Sequence, residues 1–303
     1  MESFHLIFKS LTNTFFMDLQ HTEYNNDLLK KIVYTLVNSI DLIGKKSTSE
    51  QFSEKKLLKH ALLDLSKQIY ANMHALNTLI PDFHVNGFEL KRIPIALVSR
   101  GAIVDCQTGL YLISFINSDQ SLKNEIDAMS LAYAKFLHTF QKEKLQYLEN
   151  DEKLISQKLR QWEISFKSNY GHLFKSRVTE KWDFKNVKDL RVTSEEGLKN
   201  DLNGKITEAV KYNRIKEFFN RQDYTFLYTG FGYFSQYQHY SFANRKMLED
   251  PSTKDEFFGI LLTSISAIWI AMNQFSSILG GQGNEEEIKR NNELIKTLYS
   301  SIK

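Results

Sequence analysis

Apolar residues return every three or four positions through most of the chain, and that period belongs to amphipathic α-helices. It predicts helices over residues 4–19, 24–43, 53–79, 91–117, 121–147, 151–175, 204–220, 222–248, 254–279 and 284–302. Little is left for strands. Punctuation falls at Pro81 with Asn86 and Gly87, at the turn from Glu249 to Ser252, and at the Gly280-Gly281-Gln282-Gly283 cluster. Between 176 and 203 the period fades into Thr-, Asp-, Asn- and Gly-bearing sequence, the pattern of an irregular insertion. The expectation is an all-α, multi-helix bundle in one elongated domain. Residues 1–80 supply N-terminal helices, 91–175 and 204–302 the main bundle, and 176–203 the insertion.

Two stretches carry more than periodicity. Ile126, Met129, Tyr133, Phe136 and Phe140 step by three or four, and Tyr147, Leu154, Leu159, Trp162 and Phe166 continue the stripe. This predicts a long helical hairpin or arm, or one extended helix, with the aromatics packed in its core. Phe257 to Gly281 holds no charged residue and is long enough to cross a bilayer. Its Thr, Ser, Asn and Gln residues and the missing basic flank predict a central helix buried in protein.

Composition agrees with helices: 303 residues include 13 Gly and only 3 Pro, too few turn formers for a sandwich or propeller. With 39 Lys and Arg against 36 Asp and Glu, the net charge of +3 supplies no global field for nucleic acid or lipid. The single cysteine, Cys106, forms no internal disulfide, and Ile103 and Val104 beside it predict a buried, inert thiol. The first residues lack a basic segment followed by a sustained apolar core, so a cytoplasmic protein without a signal peptide is expected. No membrane partner is expected. The eight histidines are scattered without metal-ligand spacing, and neither metal nor cofactor is anticipated.

Polar groups inside apolar helices are the candidates for chemistry. Arg100 lies in such a run, sharing a helix face with Gln107, Tyr111 and Ser114, while Asp105 projects elsewhere. A buried guanidinium keeps its charge, so Arg100 needs either a carboxylate on a neighbouring helix or an anionic ligand. The second run, Tyr224 to Arg245, places Ser235 and His239 four residues apart with Tyr237 and Ser241 nearby. An imidazole beside hydroxyls suits proton transfer, and equally suits a hydrogen-bonded core. Gly230 and Gly232 in this run imply a close backbone approach or a kink. Lys167 to Arg191 holds seven basic residues against three acidic ones, including Lys175, Arg177, Lys181, Lys185, Lys188 and Arg191. Tyr170, Phe174, Trp182 and Phe184 interleave them, a composition suited to phosphate contacts with base stacking, or to a merely solvated loop.

An Arg-bearing apolar helix followed by a helix with Ser-x-Tyr-x-His-x-Ser resembles a family of bacterial all-helical domains related to the HEPN-type fold (higher eukaryote and prokaryote nucleotide-binding). The matching positions are Arg100, Asp105, Ser235, Tyr237, His239 and Ser241, within residues 55–280. HEPN relatives are often ribonucleases of toxin or phage-defence systems, so the resemblance implies an RNA-directed effector, either a metal-independent ribonuclease or an RNA-binding protein. The chain departs from the Arg-x-x-x-x-His signature: five residues after Arg100 stands Asp105, and five after Arg245 stands Asp250. The alternative is a non-catalytic helical scaffold that self-associates or binds a protein partner through the aromatic stripe.

Overall fold

The structure is a computed structural model that describes residues 22–46, 55–82, 88–149, 151–175, 184, 206–238, 253–280 and 284–302. Among these lie nine α-helices: α1 (Glu23–Lys46), α2 (Lys56–Leu79), α3 (Phe88–Ile113), α4 (Asp119–Leu148), α5 (Glu152–Tyr170), α6 (Glu208–Phe219), α7 (Thr225–Ser235), α8 (Thr253–Leu279) and α9 (Glu285–Ser300). No named strand occurs among the described residues, and the architecture is an all-α multi-helix bundle. The chain divides into two compact units, one of Met1–Ser114 with Lys211–Lys303 and the other of Phe115–Val210.

The larger unit is built around α8, which packs on α1, α2, α3 and α7. Its charge-free run buries Phe257, Phe258, Leu261, Leu262, Ile265, Ile268 and Phe275, so residues on every side of the helix have protein around them. The helix is long and apolar enough to span a membrane, and 78% of its most apolar stretch is buried inside the protein. Small residues set the helix spacing. A Cβ at Gly109 on α3 would come within 2.0 Å of the Phe275 ring, and one at Gly230 on α7 within 2.2 Å of Ser264 Oγ. Gly280 ends α8 at φ +77°, a left-handed conformation glycine adopts at little cost, and its N–H bonds the Ser276 carbonyl. The glycine cluster's first residue therefore serves as a helix stop. At the start of α9, Asn284 occupies the N-cap position without a side-chain capping bond, and the first turn bears Glu285, Glu286 and Glu287.

The smaller unit contains an antiparallel hairpin, the arm anticipated from the sequence. His138 Nε2 lies 3.3 Å from Glu163 Oε1 and His172 Nε2 3.3 Å from Asp127 Oδ1, so α5 descends as α4 rises. Asp151 starts α5 by accepting from the Lys153 and Leu154 N–H groups, at 2.9 and 3.3 Å. The inner face pairs small with large: Ala128, Leu131 and Ala134 of α4 receive Phe166, Leu173 and Phe174, with Trp162 and Tyr170 packed alongside. That arrangement corrects half of the aromatic-core expectation. Phe166 is buried and Trp162 half-buried against it, but Tyr133, Phe136 and Phe140 face out at 56%, 60% and 51% exposure. The α4 sequence carries two apolar stripes, and the Ala-rich one accepts the bulky α5 rings.

Candidate functional site

Arg100 on α3 and Ser235 at the end of α7 meet, although 135 residues separate them: Arg100 Nε donates to Ser235 Oγ at 2.9 Å. The Ser235 hydroxyl in turn donates to the Phe231 carbonyl at 2.6 Å, and the guanidinium carbon sits 5.0 Å from the centre of the Phe231 ring. Arg100 is therefore gripped at Nε and stacked on one face, while its two Nη groups make no bond to the described residues. No carboxylate pairs with it among those residues, so the interhelical salt bridge is not its state there. A part-buried, permanently charged fork with free donor edges is suited to a phosphate or another oxyanion.

The remaining sequence-selected residues divide. Asp105 faces α2, where Asn72 Nδ2 donates to its Oδ2 at 3.4 Å; it does not join Arg100. Tyr237 also leaves the Arg100 group. The helix expected over 222–248 ends at Ser235 and tightens into a 3₁₀ turn, Gln236–Gln238, whose first N–H is shared between the Tyr233 and Phe234 carbonyls. This rotation directs Tyr237 inward, its hydroxyl donating to Tyr233 Oη at 3.4 Å and its ring 5.4 Å from that of Phe257. Burial raises the Tyr237 pKa above its ordinary value, against the opposing influence of the Tyr233 hydrogen bond and the Arg92 charge. His239 and Ser241 lie outside the described residues.

Of the basic set, Lys175 is exposed, and Arg177, Lys181, Lys185, Lys188 and Arg191 lie outside the described residues. The interleaved rings that are described do internal work. Phe174 and Phe184 form an antiparallel bridge with ring centres 4.5 Å apart, and Lys167 is buried with its ammonium 5.0 Å above Phe174. Phe174 is buried in the hairpin core, and Tyr170 and Phe184 are half-buried against it. Cys106 is fully buried, and burial with the neighbouring Asp105 charge pushes its thiol pKa well up, which keeps it protonated and unreactive. No cluster of three or more His, Cys, Asp or Glu side chains with metal-binding geometry occurs among the described residues.

Two features went unmarked in the sequence. Arg92, one of the largest fully buried side chains at 1% exposure, donates from Nη1 to Thr253 Oγ1 at 2.6 Å and lies 5.9 Å from the Phe257 ring centre. It hydrogen-bonds the Tyr237 hydroxyl, which donates to Tyr233 Oη, and its charge favours both phenolates, so α3, α7 and α8 share one polar network. The second feature is a cleft of about 700 Å³ between α8 and α9, floored by Ile270 and Ile288. Helix α9 leans on α1 and reaches α8 through long side chains, which leaves the gap. Trp269 Nε1 donates to Asn292 Oδ1 at 2.7 Å and Asn292 Nδ2 to Asn273 Oδ1 at 2.9 Å, while Arg221 at the rim pairs with Asp223. The only sequence signal was the Asn273-Gln274 and Ser276-Ser277 pairs in an otherwise apolar helix. Comparison of the chain with protein-family models, curated proteins and solved structures finds no match.

Proposed function

We propose that this chain is an RNA-directed effector of the bacterial toxin or phage-defence type, acting in the cytoplasm, with Arg100 as the phosphate-holding group and His239 as the group that moves the proton. The single observation that carries this reading is the 2.9 Å bond from Arg100 Nε to Ser235 Oγ. It joins the two polar runs picked out independently in the sequence, and His239 follows one residue after the 3₁₀ turn that Ser235 precedes. In the cleavage form of the reading, the RNA 2′-hydroxyl attacks the adjacent phosphorus and the 5′-oxygen leaves, giving a 2′,3′-cyclic phosphate and a 5′-hydroxyl. His239 accepts the 2′-hydroxyl proton and passes it, directly or through solvent water, to the departing 5′-oxygen, and the Nη edge of Arg100 stabilises the charge that grows on the phosphoryl oxygens. Asp105 and Tyr237, engaged elsewhere, have no part in it.

The test is cleavage of a labelled RNA in excess chelator, comparing the wild type with His239→Ala and Arg100→Gln. The reading expects both variants to lose cleavage while melting cooperatively. Equal cleavage by His239→Ala removes the catalytic form, and unchanged RNA affinity in Arg100→Gln removes the phosphate-holding role.

A non-catalytic scaffold is the second reading, and the polar network of buried Arg92 and Tyr237 with half-buried Thr253 and Tyr233 favours it, since such networks fix helix register. Under it, Arg100→Gln changes thermal stability and no RNA-dependent property.

A further inference from the structure

The outward face of α4 is ordered symmetrically about Phe140. Tyr133 and Phe136 precede it by seven and four residues, and Lys144 and Tyr147 follow it by four and seven. At about 100° per residue these five positions fall within one narrow stripe. The stripe lies on the side of the helix opposite Leu131, Ala134 and Leu145, which face inward. Its rings are exposed by 56% at Tyr133, 60% at Phe136, 51% at Phe140 and 88% at Tyr147, and Phe136 and Phe140 already stack with centres 6.0 Å apart.

We infer that this face is a two-fold interface between two copies of the chain, with α4 crossing its symmetry mate antiparallel at Phe140. A stripe that reads the same in both directions is what an isologous contact requires, because each residue must suit the residue its own copy presents. Phe140 meets Phe140 on the axis, Tyr133 meets Tyr147, and Phe136 meets the Lys144 ammonium in a cation–π contact. The area is adequate. Rings of about 150–250 Å² each, more than half exposed, offer on the order of 500 Å² per copy, so the pair reaches about 1,000 Å², the lower bound for a specific interface. Bound single-stranded nucleic acid has no use for this mirror order, since its two directions differ chemically. The inference stands apart from the RNA reading, for it involves neither Arg100 nor His239.

The experiment uses the full chain. Sedimentation equilibrium is expected to show a reversible monomer–dimer equilibrium that Phe140→Glu abolishes, with the helical circular dichroism unchanged and the melting curve matching that of the wild type at concentrations where the wild type is monomeric. Register is read by thiol cross-linking, which the fully buried Cys106 leaves unobstructed. With a short bismaleimide, Phe140→Cys is expected to cross-link to itself. Tyr133→Cys and Tyr147→Cys are expected to cross-link when mixed and not when each is alone. A monomer at every soluble concentration overturns the inference, as does a dimer indifferent to Phe140→Glu or one in which Tyr133→Cys links to itself. Loss of RNA affinity in Phe140→Glu, with a wild type that stays monomeric, assigns the face to nucleic acid instead.

Discussion

Two glycines two residues apart on α7 should respond to alanine with opposite signs. At Gly232 no atom of the described residues lies within 4 Å of an added Cβ, and replacing a helical glycine by alanine stabilises by about 1 kcal/mol. At Gly230 the same Cβ meets Ser264 Oγ at 2.2 Å, Ile103 Cδ1 at 3.1 Å and Ser264 Cβ at 3.3 Å. Ser264 is fully buried, and overpacking of this kind costs roughly 1–3 kcal/mol. Offsetting about 1 kcal/mol of helix propensity against the upper part of that range leaves Gly230→Ala destabilised by about 1–2 kcal/mol, so the two variants differ by about 2–3 kcal/mol. Among the described residues Ser264 Oγ has no hydrogen-bond partner, so Ser264→Ala alone should be close to neutral. Added to Gly230→Ala, it should recover most of the loss, with a coupling energy of about 1 kcal/mol or more. Urea denaturation followed by far-ultraviolet circular dichroism measures all four variants, with the midpoint shift read at constant slope. Equal responses at Gly230 and Gly232, or additive effects in the Ser264 double variant, refute the close α7–α8 contact.

Alkaline pH should weaken the fold through buried phenols. Burial, the largest influence, raises the Tyr224 pKa from its ordinary 10.0 to about 12, and Tyr233 and Tyr299 are raised as well. The stability Tyr224 contributes is intact below 10.0 and is lost as pH climbs from there through about 12, and the loss through Tyr233 and Tyr299 begins in the same range and continues above it, so melting temperature should fall from pH 10.0 upward as the 295 nm phenolate absorbance rises. Asn292→Ala leaves the buried-side Trp269 N–H without its acceptor and should cost about 1–3 kcal/mol, with a red-shifted tryptophan emission as α9 loosens. Asp151→Ala removes the acceptor for two N–H groups at the start of α5 and should cost about 1 kcal/mol, seen as faster amide exchange confined to the first turn. Cys106 should resist alkylation until the protein unfolds, because the thiol is fully buried and held protonated.

Much of the fold was legible because it rests on periodicity and on the absence of charge. The α8 run from Phe257 onward announced a helix surrounded by protein, and Gly280 announced its end. Other features depend on which of two local options the tertiary structure selects. On α4 an Ala-Leu-Ala stripe and an aromatic stripe share one helix, and only the size of the α5 rings decides that the small stripe goes inside. The tightening after Ser235 is invisible to spacing rules, since Ser235 is held at once by Phe231 and by a side chain 135 residues away. Arg100 was conspicuous as a charge in mid-run; Arg92 was not, because beside Lys91 it resembles a solvated helix start. The α8–α9 cleft exists only between two helices and belongs to neither sequence alone.

Nuclear magnetic resonance of the arginine Nε–H and histidine ring signals, on titrating the full chain with a short single-stranded RNA in chelator, bears most directly on the proposed site. The account requires the Arg100 Nε–H resonance, resolved by its bond to Ser235, and the His239 ring resonances to shift together with one saturation curve, and to lose that response in Arg100→Gln. Arg100 and His239 signals that stay in place while RNA binds elsewhere, or that move with unrelated midpoints, contradict it.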